Sequence, residues 1–155
     1  MLDVVHGDIW GEYTRRPDVY LVIPTNGSVR RDGCAVMGRG LALQAARRFP
    51  EISMVLGHAL QDSGLYGPRV VLLPHRLLAF PVKWNWNESA DLDLIERSAG
   101  KLAAWLRRSE ESIVMPCVGC GNGRLAWARV RLRLEALDAY DIACRVRVID
   151  TATIR

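Results

Sequence analysis

Cys34-Ala35-Val36-Met37-Gly38-Arg39-Gly40-Leu41-Ala42-Leu43-Gln44 decides how the chain is read. Its first half is a loop punctuated by glycine. From Gly40 to Arg48 the spacing becomes helical: Leu41 and Ala45 share a face, as do Ala42, Ala46 and Phe49. Pro50 disfavours helical geometry at Phe49 and stops the element there. A second stretch has the same grammar, an apolar run at Ile113–Pro116 leading into Val118-Gly119-Cys120-Gly121-Asn122-Gly123. Glycine lets backbone approach a ligand closely. Successive unpaired N–H groups where a helix begins form a pocket for phosphate oxygens. One such loop alone is more often a tight turn; two of them in this topology suit a diphosphate held from both sides as well as they suit turns. Neither is a P-loop, and no G-x-G-x-x-G occurs.

Working outward, Leu2–His6, Val19–Pro24, Val70–Leu73, Leu77–Val82 and Val146–Ile149 are apolar runs bounded by turn residues, which predicts strands beside Ile113–Pro116. Thr25–Met37, with Asn26-Gly27 and Asp32-Gly33, reads as a loop. Ala90–Arg108 is the clearest helix, with Leu92, Ile95, Ala99, Leu102 and Leu106 at three- and four-residue steps and Ser89 as its expected N-cap. Ala128–Ala136 alternates with period two, yet Trp127, Val130, Leu134 and Leu137 also fit a helical stripe; its length and alanines favour helix. Strand–helix alternation with one adjacent strand pair predicts an α/β fold, a mixed central sheet of about six strands with helices on both faces. In such sheets ligands sit beyond the carboxyl ends of the strands, where both glycine loops fall.

With 155 residues, half of them hydrophobic and a quarter charged, the chain suits one domain with its own core. No apolar run reaches the roughly 18–20 residues of a membrane span. The first residues lack the layout of a signal peptide, so a cytoplasmic location with reduced thiols is expected. Cys117 and Cys120 form a single C-x-x-C with no second pair to complete a zinc site, so neither a metal nor a redox cofactor is expected. The net charge of +4 mildly suits a polyanionic partner. Arginines at 30, 31, 47, 48, 129, 131 and 133 are available for phosphate contacts, although solvated helix faces explain most of them. His6, His58 and His75 form no recognisable pair.

Four motifs, in order and spanning nearly the whole chain, resemble macrodomains of the DarG type, antitoxins that remove ADP-ribose from DNA. His6-Gly7-Asp8-Ile9 resembles their G-D-I/L opening, and the stretch 34–44 their V-M-G-K-G-I/L-A-L-Q loop and helix. Phe80-Pro81-Val82-Lys83-Trp84-Asn85-Trp86 is similar to F-P-T-K-x-x-W, and Pro116 through Trp127 to P-x-x-G-C-G-N-G-G-L-x-W. The resemblance implies a single macrodomain over residues 1–155. It implies that Asp8 accepts a hydrogen bond from the adenine amino group, with the Ile9 backbone beside the ring; nothing but position separates Asp8 from an ordinary turn aspartate. It implies that Val36, Met37, Gly38, Arg39 and Gly40, together with Val118, Gly119, Cys120, Gly121, Asn122 and Gly123, wrap the diphosphate and distal ribose. Asn26 is implied at that ribose; the gap from Asn26 to the glycine loop is longer than usual, so Asp32 is the alternative.

Lys83 is the implied catalytic residue, acting at the anomeric carbon of the distal ribose. A neutral amine can attack or assist there, and an ammonium can protonate a leaving group. A free lysine near pKa 10.4 is charged at pH 7, so nucleophilic work requires desolvation or a neighbouring cation. Of the 21 basic residues only Lys83 and Lys101 are lysine, and arginine cannot take a neutral-amine role. Related enzymes that act on protein carboxylates pair their lysine with an aspartate in the second glycine loop; Gly123 stands there instead, which favours a nucleic-acid target. Trp84 and Trp86 flank Lys83, and strand alternation would put both indoles on one side with Lys83 and Asn85 on the other. Exposed indoles there would stack on bases, while core tryptophans remain the other reading.

The resemblance thus implies an ADP-ribosyl glycohydrolase that acts on a modified nucleic-acid base, with an ADP-ribosylated target, DNA and a cognate ADP-ribosyltransferase toxin as the partners to consider. Its alternatives are a non-catalytic ADP-ribose reader, an ADP-ribose-1″-phosphate phosphatase and a protein ADP-ribosyl hydrolase. No histidine–aspartate pair near the loops supports the phosphatase.

Overall fold

The structure, a computed structural model, describes residues 2–64 and 67–151. Six strands form one sheet: β1 (Val4–His6), β2 (Val19–Thr25), β3 (Val71–Leu73), β4 (Leu77–Pro81), β5 (Ser112–Pro116) and β6 (Val146–Asp150). Their order is β1-β6-β5-β2-β4-β3, parallel throughout except for the β3–β4 pair. This is the expected mixed sheet. The central strands β2, β4 and β5 are buried almost end to end, as strands covered on both faces must be.

Each face carries its own core. On one, Phe80, Ile95, Leu102, Leu106, Met115 and Val148 pack under α4 (Leu92–Arg107). On the other, Ile9, Leu21, Ile23, Ala45, Ile52 and Leu56 pack under α1 (Ile9–Arg15), α2 (Gly40–Arg48) and α3 (Ile52–Ser63). Helix α2 has the expected bounds, with Ala42 and Ala45 on its buried side.

Several expectations need correction. Helix α4 is capped by Asp91, whose carboxylate accepts from the amides of Asp93 (2.8 Å) and Leu94 (3.1 Å), not by Ser89. The 128–136 stretch is helical but barely α: α5 (Trp127–Val130) tightens at once into a 3₁₀ helix, Arg131–Asp138. Val130, Leu134 and Leu137 face the core and Leu132 faces solvent, so the helical stripe prevails over the period-two alternation. Helices α1 and α3 were not expected at all.

The loop from Asn26 to Arg39 is held by hydrogen bonds rather than by regular structure. The Ala35 amide donates to Ser53 O of α3 (2.8 Å) and the Val36 amide to Ser28 O (3.0 Å). Asn26 Nδ2 donates to Val36 O (3.0 Å) while its Oδ1 accepts from Ser28 N (2.9 Å).

Candidate functional site: a cleft at the carboxyl ends of the parallel strands

The exits of β2 (Thr25, Asn26), β4 (Val82, Lys83), β5 (Pro116, Cys117) and β6 (Asp150, Thr151) converge on one cavity of about 670 Å³. That is where a sheet of this topology opens between diverging crossovers. Val36, Met37, Gly38, Arg39 and Gly40 line one wall, and Gly119, Cys120, Gly121, Asn122 and Gly123 line the other. A second cavity, about 550 Å³, holds Asp8, Ile9, Trp10 and Gln44 and shares Gly40, Leu41, Asp150 and Thr151 with the first. The expected site residues therefore gather along one continuous cleft, with two exceptions.

Val118 is fully buried and belongs to the core under α4. Asp32 lies outside both cavities: its carboxylate pairs with Arg30 (2.8 Å) and accepts from the Cys34 amide (3.0 Å). Between the two ribose alternatives, only Asn26 lines the cavity. Asp8 caps α1, accepting from Trp10 N (3.2 Å), so the turn reading and the place in the cleft both hold.

Both glycine walls present backbone amides. Those of Gly38, Arg39, Gly40 and Leu41 have no hydrogen-bond acceptor among the described residues, nor do those of Gly121, Asn122 and Gly123. The N-cap of α2, Arg39, supplies no side-chain acceptor, so the positive end of that helix is left to whatever enters the cleft. Gly40 sits at φ +58, in the left-handed region. At Gly123 a Cβ would stand 2.4 Å from Gly119 O and 2.8 Å from Ala90 Cβ. No side chain fits there, so this loop geometry itself excludes an acid at that position.

Lys83 is placed by the backbone on either side of it. The Val82 amide donates to Thr25 O (2.9 Å), Val82 O accepts from Asp91 N (2.8 Å), and buried Ser98 Oγ donates to Pro81 O (2.8 Å). Lys83 Nζ lies 3.5 Å from Trp86 O. Burial holds the Lys83 ammonium below the usual lysine range, and the guanidinium groups of Arg124 and Arg39 push in the same direction. Burial drives the Cys117 thiol the other way, up to about 12, with Asp150 adding to the effect; Cys120 is also raised, by the same causes. Both thiols are therefore protonated near neutrality and are poor nucleophiles.

Strand alternation does not extend to the tryptophans, because β4 ends at Pro81 and the chain turns. Trp86 joins Lys83 on the cavity. Trp84 lies elsewhere, its Nε1 donating to Asp91 (3.0 Å) and Arg97 over its ring. Sequence reasoning missed Asp150, Thr151 and Ser28. Asp150 ends β6 and Thr151 follows it, and the carboxyl-end rule would have found both. Ser28 Oγ accepts from the Trp86 amide (3.1 Å) while Ser28 O accepts from Val36 N, so this one residue ties the lysine loop to the first glycine wall.

No family model matches the chain. A protein of Thermus aquaticus named DNA ADP-ribosyl glycohydrolase is 30% identical over 115 residues, 68% of this chain and 32% of that protein. The chain thus spans about a third of the curated relatives it matches. The macrodomain of Thermus aquaticus DarG superposes with a TM-score of 0.74 at 28% identity, covering 99% of both chains. Thermosipho africanus DarTG in complex with ADP-ribose gives 0.77 at 23% identity, covering 98% of this chain and 42% of that one. No helix among the described residues is long and apolar enough to cross a membrane. Sheet order, cleft and end-to-end superposition agree: the chain is a macrodomain, related to the macrodomains of DarG proteins.

Proposed function

We propose that the chain binds ADP-ribose along this cleft and hydrolyses it from a modified nucleic-acid base, with Lys83 acting at the anomeric carbon. The adenine lies in the cavity of Asp8 and Ile9. The diphosphate sits between the amides of Gly38–Leu41 and Gly121–Gly123, and the distal ribose reaches Asn26 and Lys83. Charge-assisted hydrogen bonds of this kind contribute about 1.5–3 kcal/mol each. The names of the curated relatives and the ADP-ribose complex of a structural neighbour support the assignment.

One observation carries the chemistry. Lys83 lines the cavity wall, and burial together with the charges of Arg124 and Arg39 lowers its pKa, a shift in the direction that nucleophilic work by an amine needs. The amine lone pair forms a bond to C1″ as the bond from C1″ to the base breaks, and the base departs with that electron pair. The proton released by the new ammonium passes to the base. Water then replaces the amine at C1″, giving free ADP-ribose and restoring Lys83. Trp86, at the same end of the cavity and half-exposed, offers a face on which the departing base stacks. Gly123 leaves no room for a carboxylate partner to the lysine, which favours a base over a protein carboxylate as the attachment point.

The test is release of ADP-ribose from a modified DNA oligonucleotide by wild type and Lys83→Ala. A loss of about 100-fold or more in rate, with ADP-ribose binding retained by calorimetry, is expected. Equal rates, or binding by wild type without turnover, would contradict the reading.

A further inference from the structure

Of the arginines near the cleft, Arg124 is the least explained. It follows Gly123 in the second glycine wall and is exposed. Its φ is +65, a left-handed conformation that glycine adopts freely and a long side chain does not. Neither Arg124 nor Arg39 has an acidic partner among the described residues, so no carboxylate among these neutralises them. Arg39 and Lys83 line the cavity and Arg124 does not. Yet Gly123, the residue before it, lines the same cavity as Lys83, the Arg124 amide donates to Gly121 O of that wall (3.1 Å), and the Arg124 charge acts on the amine. Three cations thus stand around this part of the cleft with no carboxylate paired to either arginine, and one of the three lies outside the cavity lining.

Like charges gathered this way call for an anion. The diphosphate of ADP-ribose answers Arg39, which lines its cavity. It does not answer Arg124, which is outside that cavity and next to the residue assigned to the anomeric carbon. An anion at Arg124 belongs to what is attached to the ribose, the leaving-group side. We propose that Arg124 is a specificity residue that pairs with a backbone phosphodiester next to the modified base, so that the protein acts on a nucleotide within a strand in preference to an isolated modified nucleoside. This rests on the hydrolase reading above and extends it to the strand. Arg124 and Trp86 then divide the work: the indole takes the base face, and the guanidinium fixes the adjoining phosphate. DNA and RNA share the phosphodiester, so the pairing itself does not choose between them.

The experiment compares wild type, Arg124→Asn and Arg124→Lys on an ADP-ribosylated nucleoside and on single-stranded oligodeoxynucleotides and oligoribonucleotides carrying the same modification. Asparagine tolerates left-handed backbone, so the loop is preserved. Any change in the Lys83 amine is common to all substrates and cancels in the ratio of kcat/KM on strand to kcat/KM on nucleoside. The expected result is a strand preference in wild type that Arg124→Asn lowers about five-fold or more and Arg124→Lys largely keeps. The slope of log kcat/KM against log salt on the strand should flatten by about 0.7, the value for one phosphate on a single strand. A loss confined to the deoxy or the ribo strand names the source of the phosphate and supports the assignment equally. A ratio and slope unchanged by Arg124→Asn, in an enzyme that cleaves both kinds of substrate, would overturn it while leaving the hydrolase reading intact. Wild type that cleaves none of them would overturn the hydrolase reading, and this inference with it.

Discussion

A Cβ built on Gly40 would stand 3.0 Å from Asn122 Nδ2, so the two glycine walls of the cleft close on each other at this pair. The contact brings the amides at the start of α2 opposite those of the loop after β5. It also marks where the two cavities join, since Gly40 lines both. Gly40→Ala introduces a side chain at φ +58 against Asn122. The expected result is a stability loss of about 1–2 kcal/mol and at least a roughly ten-fold weaker affinity for ADP-ribose, about 1.4 kcal/mol. Thermal melts and calorimetry measure the two effects separately.

Gly123→Asp tests whether this loop accepts the acid that protein-directed relatives are implied to carry. The new Cβ would overlap Gly119 O, and overpacking of this kind costs about 1–3 kcal/mol. The variant should melt at a lower temperature and lose activity on every substrate. A stable Gly123→Asp protein that gained activity on ADP-ribosylated carboxylates would show the loop to be adaptable.

The pH dependence follows from Lys83. Burial and the two arginines lower its pKa from 10.5, so the neutral amine becomes available at a pH below the ordinary lysine range. The rate should rise with pH through that lowered value and level off above it. Removing one cation raises the pKa, so Arg39→Gln should move the rising limb to higher pH. A rate that falls as pH rises through this region would instead assign Lys83 to protonating the leaving group.

Helices α2 and α4 were legible because each carries a clear hydrophobic period, and the strands because each is an apolar run bounded by turn residues. Helix α1 was hidden by its length: seven residues, with Ile9, Trp10 and Tyr13 buried, make too few repeats to register. Helix α3 had a stripe at Ile52, Leu56 and Leu60, interrupted by Gly57. The glycine walls could be read from residue type, since close backbone approach demands glycine, whereas Lys83 was singled out by the resemblance of its segment to the macrodomain motif. The framework that aligns them could not. Ser28 acts through one hydroxyl and one carbonyl, and Asn26 through an amide used at both ends. Neither contact leaves a periodic trace. Trp84 and Trp86 were assigned to one side because alternation was carried past Pro81, where the strand ends.

Asn26→Ala removes the side chain that spans Ser28 N and Val36 O. With two hydrogen bonds lost in a half-buried loop, the first glycine wall should loosen at a cost of about 1–3 kcal/mol. Because Lys83 is also anchored through Val82 and Ser98, KM should rise more than kcat falls. Steady-state kinetics on a modified oligonucleotide separate the two; a variant that lost kcat alone would place Asn26 in the chemical step.

The most direct measurement is a crystal structure with ADP-ribose bound. Diphosphate oxygens are expected on the amides of Gly38–Leu41 and Gly121–Gly123, with Lys83 Nζ about 3–3.5 Å from C1″. A diphosphate bound away from either wall, or a distal ribose turned from Lys83, would contradict that arrangement.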